Sequence, residues 1–293
     1  MMPNVTRKVR YGVGAHKGCA ATAARRRKGP DSVIQAVDRA LRILTVLQGS
    51  RRMSLGEIAT RLDLAPSTVH GIIRTLLAHG MVQQERDSGR YRLGPATLRL
   101  GNVYLDTLEL RSRVSAWAED LARRTGGAVR TGVLLLGDVV VVAHEPRPDG
   151  TRQMPEVGIV IPAHCCALGK ALLTFDPGSF TEALTGDRLL RSMTGETITD
   201  PAALRAQLEV VRGTGIATEV EEAVLGECGA AAPLADAAGE VAGAIGLVVP
   251  SSAWPLDTAA LDALRTTARA VSRELGAPAW PPHAVTRPPP ATA

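Results

Sequence analysis

With 293 residues, 45% of them hydrophobic and 22% charged, the chain is long enough for two ordinary domains, each with its own packed core. Aromatic residues make up only 3%, so that core must rest on Ala, Val, Leu and Ile, and no apolar run reaches the ~20 residues needed by a bilayer-crossing helix. The net charge of +5 is unevenly spread, at +8 over residues 1–30, +3 over 31–95 and −6 over the remainder, so only the first third is suited to meet a polyanion.

Residues 1–30 mix Gly, Ala, Thr and Arg without periodicity and read as a disordered basic tail. Its "ARRRKG" either adds non-specific attraction for phosphates or is a solvated tail, and an overlong start-codon assignment would look the same. The N-terminus lacks the continuous apolar core of a signal peptide. Cys19, Cys165, Cys166 and Cys228 show no framework spacing. A reduced, cytoplasmic chain is the expectation.

From Asp31 the pattern becomes periodic. "VIQAVDRALRILTVL" sets Val33, Val37, Leu41, Leu44 and Leu47 at helical spacing, and Gly49 and Ser50 stop it. "MSLGEIATRLD" opens a second helix with Ser54 as N-cap and Glu57 three residues on, in capping-box register. A tight "DLA" break leads into "PSTVHGIIRTLLAHG", with Pro66 in the first turn, where a missing N–H costs nothing. On this third helix Val69, Ile72, Ile73, Leu76 and Leu77 form one apolar face. Ser67, Thr68, His70, Gly71 and Arg74 lie mostly on the other. "MVQQERDSGRYRLG" then alternates as two short strands around a Ser-Gly turn. Helix, helix, tight turn, helix and hairpin in that order describe a winged helix-turn-helix.

In that motif the N-terminal half of the second helix of the pair enters the major groove of double-stranded DNA. Short hydroxyls at Ser67 and Thr68 suit phosphate and base-edge contacts, and Arg74 suits a bidentate pair with a guanine edge. Gly71 costs roughly 1 kcal/mol against alanine within a helix, a cost that makes sense where backbone approaches DNA closely. Arg86, Arg90 and Arg92 surround the hairpin turn, where arginines reach phosphates or the minor groove, and Arg51 and Arg52 precede the second helix as backbone contacts. Each arginine alone would more often be a solvated surface charge. Their clustering carries the assignment.

"LGPATLRLGNVYLDTLELRSRVSAWAEDLARRTGG" reads as one or two joining helices. Beyond it, "VRTGVLLLGDVVVVAHE" and "AGEVAGAIGLVV" read as strands, with helical patterns between them, and "LDTAALDALRTTARAVSREL" as a long C-terminal helix. No phosphate-binding glycine fingerprint accompanies this alternation, so a sensor-like α/β domain fits better than a nucleotide-binding one. The glycines of "GVGAHKG" lack the strand and helix that a phosphate loop requires. Residues 277–293, rich in proline, read as a disordered tail.

An enzyme would have to be built from paired acids, His164 and Cys165–Cys166. No C-x-x-C spacing, nucleophile motif or zinc pattern accompanies them. Small buried thiols fit better, and no catalytic residue, metal or cofactor is expected. A purely architectural DNA-binding protein would have no use for a sensor-like second half.

"VDRALRIL", "SLGEIATRLDLAPSTVHGIIRTL", "GRYRLG", "ALGKALL" and "GIATEVEE", in order over roughly residues 32–276, together resemble the IclR-type transcriptional regulators. Within that family, "HGIIRTL", "GNVYLDTLELR", "RPDGTRQMPEVG" and "ARAVSRELGA" look like the glycerol operon regulators of actinomycetes. The resemblance implies an α+β chain: a winged helix-turn-helix over 31–95, a linker helix over 96–113 and a GAF-like α/β effector-binding and oligomerisation domain over 114–276. It also implies a homodimer or homotetramer on a palindromic operator, controlled by a small metabolite. Whether such a protein acts as a repressor or an activator depends on where its operator lies.

In this family the turn and helix around A-x-G-K-A line the ligand cavity, which here points to Ala167 and Leu168, with Met154 and Ile161 at matching apolar positions. Backbone N–H groups at such a helix start are a ready anion site. Lys170 either assists there or, the reading preferred on residue type, is a solvated helix lysine. Two positions depart from the family pattern. Glu219 stands where an Asp is usual, and Gly229 where a Cys or Ser is usual, with Cys228 displaced by one. A longer acid and a missing side chain reshape the cavity. Glu221 and Glu222 match the family's acidic pair and read as structural. Glycerol 3-phosphate is the first candidate effector, with glycerol and small carboxylates open beside it.

Overall fold

A computed structural model of the protein describes residues 34–283, apart from 51, 152, 177, 179 and 181–189. The expected basic tail over 1–30, and Arg51, lie outside the described residues. The chain divides between Thr97 and Leu98 into two compact units.

The first unit contains α1 (Gln35–Ser50), α2 (Leu55–Leu62), α3 (Pro66–Ala78) and the antiparallel strands β1 (Val82–Gln84) and β2 (Tyr91–Leu93). Local chemistry sets each start and stop. Ser54 Oγ accepts from the Glu57 N–H at 3.3 Å while the Ser54 N–H donates to Glu57 Oε2 at 2.7 Å, the reciprocal box expected from the sequence. Asp63 ends α2 in the left-handed region (φ 52°), which turns the chain sharply before α3. Val69, Ile73 and Leu76 of α3 pack with Ile43 and Leu47 of α1, Ile58 and Leu62 of α2, and Val82 and Tyr91 of the hairpin. Burying each such side chain stabilises the unit by about 1.5–3 kcal/mol. Of the α1 stripe read from the sequence, Leu47 is buried, but Val37 and Leu41 stay exposed.

α4 (Pro95–Thr107) crosses the division and buries none of its residues. It breaks at Leu108, where α5 (Glu109–Thr125) begins. The second unit is built on a six-stranded sheet of β3 (Ala128–Leu135), β4 (Asp138–Glu145), β5 (Val160–Pro162), β6 (Ala217–Val220), β7 (Glu227–Ala235) and β8 (Val241–Pro250), in the order β5-β4-β3-β8-β7-β6. Every neighbouring pair runs antiparallel. α5 and α8 (Thr258–Glu274) cover one face, where Val114, Leu121, Leu264 and Val271 meet Ala230, Ala232 and Ile245. α6 (Ala167–Phe175) and α7 (Pro201–Thr214) cover the other, where Leu168, Leu172 and Leu208 meet Ala231 and Ala244. Successive residues of β7 thus serve opposite layers, as the two-residue period of a strand requires.

All nine residues of α6 are buried. The helix approaches so closely that a Cβ on Gly169 would sit 2.1 Å from the Ala163 carbonyl oxygen, which explains the glycine of "GKA". Part of the stretch read as a C-terminal tail, residues 277–283, is among the described residues. Residues 277–283 are placed because Trp280 donates from Nε1 to the Pro233 carbonyl (2.8 Å), lies against Gly215 and has Arg269 stacked over its ring at 5.0 Å.

Candidate functional sites

The solvent face of α3 carries Ser67, His70, Gly71 and Arg74, all exposed, with Thr68 half-buried beside them. Among the described residues nothing lies within 4 Å of where a Gly71 Cβ would stand, so no contact among them requires this glycine. Among the described residues Arg74 and Arg86 form no ion pair, which leaves both guanidinium groups open to an external anion.

The other arginines are partly engaged. Arg90 pairs with Glu57 at 3.2 Å, tying the hairpin to the start of α2. That contact and the Ser54 hydrogen bonds, which are the larger influence, lower the pKa of Glu57. Arg52 meets Glu85 at 3.0 Å, and Arg92 reaches Glu85 at 4.0 Å and Gln83 at 3.2 Å. Among the described residues these five arginines therefore divide by physical state: Arg74 and Arg86 are without an ion-pair partner, whereas Arg52, Arg90 and Arg92 are screened by neighbouring carboxylates.

The second unit holds a cavity of about 320 Å³ between the sheet, the start of α6 and the segments before β5 and after β6. That volume suits a small metabolite. Ile161, Ala167, Leu168, Glu219 and Gly229, separated by up to 68 positions in the chain, all line it. Met154 does not. It is 69% exposed, and two residues further on Glu156 turns into the cavity instead, because a buried cation awaits it there.

That cation is Arg130, on β3, which residue spacing alone does not single out. Its guanidinium takes Glu156 in a fork, through Nε to Oε2 and Nη2 to Oε1 (2.8 Å), and Nη2 also donates to Glu227 Oε2 at 3.1 Å. The arginine and Glu156 are both largely buried, whereas Glu227 is partly open to solvent.

Glu219 and Gly229 are cross-strand partners in the β6–β7 register. Glu219 Oε1 lies 3.4 Å from where a Gly229 Cβ would stand. The longer acid and the missing side chain thus meet at one place in the cavity wall, within ordinary contact distance. Glu219 Oε2 accepts from the Glu222 N–H at 3.1 Å. Burial pushes the Glu219 carboxyl up to about 7, chiefly through loss of hydration, with the Glu222 charge adding to the rise.

Lys170 is not a solvated helix lysine, contrary to the expectation from residue type. It is 0% exposed, because α6 is covered on all sides, and its Nζ donates to Glu222 Oε1 (2.5 Å), Gln207 Oε1 (2.7 Å) and the Thr218 carbonyl (3.4 Å). Glu222 is the structural acid of the pair "EE". Glu221, at φ 54°, accepts from the Gly226 N–H and shapes the turn after β6. Cys165 and Cys166 are buried free thiols. Burial raises both pKa values, that of Cys166 to about 12, so the thiols stay protonated at neutral pH. Cys166 Sγ instead caps α6, accepting from the Gly169 N–H at 3.4 Å. His164 Nε2 lies 3.0 Å from the Arg191 carbonyl oxygen, and burial lowers its pKa. Among the described residues no cluster of His, Cys, Asp or Glu is arranged to hold a metal ion, and no helix is long and apolar enough to cross a membrane.

A helix-turn-helix on the same chain as a metabolite-sized cavity fits a DNA-binding transcriptional regulator. Family models bear this out at both ends of the chain: the IclR helix-turn-helix domain matches residues 36–86 and the bacterial transcriptional regulator IclR C-terminal domain matches residues 102–273. The chain belongs to the IclR family. It is 44% identical over 249 residues to the glycerol operon regulatory protein of Streptomyces griseus, across 83% of this chain and 97% of the relative. The protein of that name from Streptomyces coelicolor is 43% identical over the same coverage. An IclR transcriptional regulator from Silicibacter sp. TM1040 matches with a TM-score of 0.74 at 26% identity, covering 85% of this chain and 100% of that one.

Proposed function

We propose that this protein regulates a glycerol catabolic operon by binding a palindromic operator as a homodimer or homotetramer. The observation that carries this reading is the 44% identity, sustained over 97% of the relative's length, to a glycerol operon regulatory protein. In this reading the first unit is a winged helix-turn-helix. The N-terminal half of α3 enters the major groove with Ser67, Thr68, His70, Gly71 and Arg74, and Arg86 at the hairpin turn meets phosphate. Arg51, Arg52, Arg90 and Arg92 lend positive potential, the last three through guanidinium groups already shared with carboxylates.

Self-association is supported by apolar side chains that neither unit covers. Ile34, Val37 and Leu41 on or beside α1, and Leu98, Leu100, Val103 and Tyr104 on α4, are all more than half exposed. The second unit is a GAF-like sensor, with Ile161, Ala167, Leu168, Glu219 and Gly229 around the effector. Glycerol 3-phosphate is the first candidate. A small carboxylate, sensed for another catabolic pathway, is the second, and a guanidinium within the cavity wall suits either anion.

Footprinting on DNA upstream of the protein's own gene, at physiological salt with and without glycerol 3-phosphate, tests the reading. A protected palindrome whose occupancy changes with the ligand is the expected result. Protection indifferent to glycerol 3-phosphate would remove that effector. Equal ligand affinity for free and DNA-bound protein, measured calorimetrically, would remove the coupling altogether.

A further inference from the structure

The cavity wall contains three carboxylates, Glu156, Glu219 and Glu227, and among its described residues one cation, Arg130. That cation is already engaged: Glu156 holds it in a two-point fork, and Glu227 adds a third contact at 3.1 Å. An anionic ligand entering this arrangement would meet excess negative charge and no free donor side chain of opposite sign. A fork–fork pair of arginine with a carboxylate has the same geometry as arginine with a phosphate or with a ligand's carboxylate. Glu156 therefore occupies the position that such a ligand would take.

We infer that Arg130 is the anion-recognition residue of this cavity, and that Glu156 is an internal competitor which a phosphate- or carboxylate-bearing ligand displaces. The inference rests on the reading of this cavity as the effector site. Three further features make the exchange physically reasonable. Glu156 belongs to the long segment between β4 and β5 and not to a strand, so its backbone has no ladder to break except where Ile159 and Gly158 bond to Val141. A second partner stands beside it: the buried His144 Nε2 has no hydrogen-bond partner among the described residues and lies 3.8 Å from Glu156 Oε2. Glu219, held near neutrality by burial, can carry a proton and donate to an anion instead of repelling it. Displacing Glu156 would also free the chain around it from its tie to β3, which gives ligand arrival a structural consequence beyond simple filling of the cavity.

The experiment is calorimetric titration of the full-length protein with glycerol 3-phosphate, with inorganic phosphate and glycerol as comparison ligands. Four proteins are compared: wild type, Glu156→Gln, Arg130→Gln and Ala167→Leu, the last filling the cavity. Glu156→Gln should bind glycerol 3-phosphate about tenfold tighter, because a competing charge is gone, and Arg130→Gln should lose at least about tenfold. Glycerol affinity should change by less than about threefold in both. Tighter binding cannot come from a damaged fold, so the Glu156 result stands even if Arg130→Gln is unstable. Unchanged affinity in both variants, with binding abolished by Ala167→Leu, would leave the cavity as the site and overturn the role of Arg130. Binding that survives Ala167→Leu would overturn the cavity reading itself. Failure of both anions to bind wild type and Glu156→Gln alike would overturn the inference, since a freed cavity guanidinium must attract them.

Discussion

Replacing Lys170 with methionine would remove a buried ammonium while keeping most of its aliphatic volume. The wild-type Nζ has three partners, Glu222 Oε1 at 2.5 Å, Gln207 Oε1 at 2.7 Å and the Thr218 carbonyl at 3.4 Å. The Lys170 and Glu222 side chains are 1% and 7% exposed, so water cannot substitute for the lost donor. Glu222 Oε2 already has no hydrogen-bond partner among the described residues, so the variant leaves a buried carboxylate with neither oxygen satisfied by a side chain. Removing one member of a buried ion pair typically costs about 3–5 kcal/mol, most of it the penalty of the stranded charge. For a unit of this size that corresponds to a melting temperature lower by on the order of 10 °C. Thermal unfolding of wild type, Lys170→Met, Glu222→Gln and the double variant, followed by circular dichroism, closes a double-mutant cycle. The double variant should recover most of the loss, because a buried charge no longer remains unpaired. A loss below about 1 kcal/mol in Lys170→Met, or a double variant as unstable as the sum of the singles, would refute the reasoning.

Two other expectations follow from the same geometry. The unfolded chain keeps the ordinary Glu219 value of 4.5, whereas the folded chain holds it at about 7, so the folded state binds the extra proton between those values. Stability contributed by this group is therefore lost as pH rises from 4.5 through 7, and Glu219→Gln should gain on the order of 3 kcal/mol over wild type at pH 8 but little at pH 4. Urea unfolding at the two pH values checks this, and a gain independent of pH would contradict it. On DNA, Arg74→Ala should relax base preference at one operator position, at a cost of about 1–3 kcal/mol, whereas Arg86→Ala should weaken all sequences alike and lower the salt slope by about 1. Arg90→Ala should act less on DNA than Arg86→Ala, because its guanidinium is already paired with Glu57. Uniform loss of affinity in Arg74→Ala, seen by titration across operator variants, would remove α3 from the major groove.

The helix-turn-helix was legible in the sequence because its signals act over three or four residues. Ser54 and Glu57 satisfy each other's backbone groups within one helical turn. Pro66 starts α3, and Gly89 adopts the positive φ the hairpin loop needs. The outward face of α3 follows directly from its 3.6-residue period once Val69, Ile73 and Leu76 are buried. The cavity lining was legible only through resemblance, since Ile161, Ala167, Glu219 and Gly229 share no local pattern.

What tertiary structure alone decided depends on partners distant in the chain. Residues 227–235, "ECGAAAPLA", lack the β-branched residues that mark strands, yet form β7 at the second position from the sheet edge, where helices press on both faces and only small side chains fit. In α1 packing buried Ile43 and Leu47 and left Val37 and Leu41 exposed. Trp280 holds residues that proline content marked as disordered, through a carbonyl 47 positions away. Lys170 looks like any helix lysine until α7 and β6 close over it, and Arg130 acquires its meaning from Glu156, 26 residues later. Local hydrogen bonds and periodicity are written residue by residue, whereas burial of a charge depends on which distant groups arrive to surround it. The sequence by itself thus determined the order of the helix-turn-helix elements and the outward face of α3, and the folded second unit decided which charges stand inside its cavity.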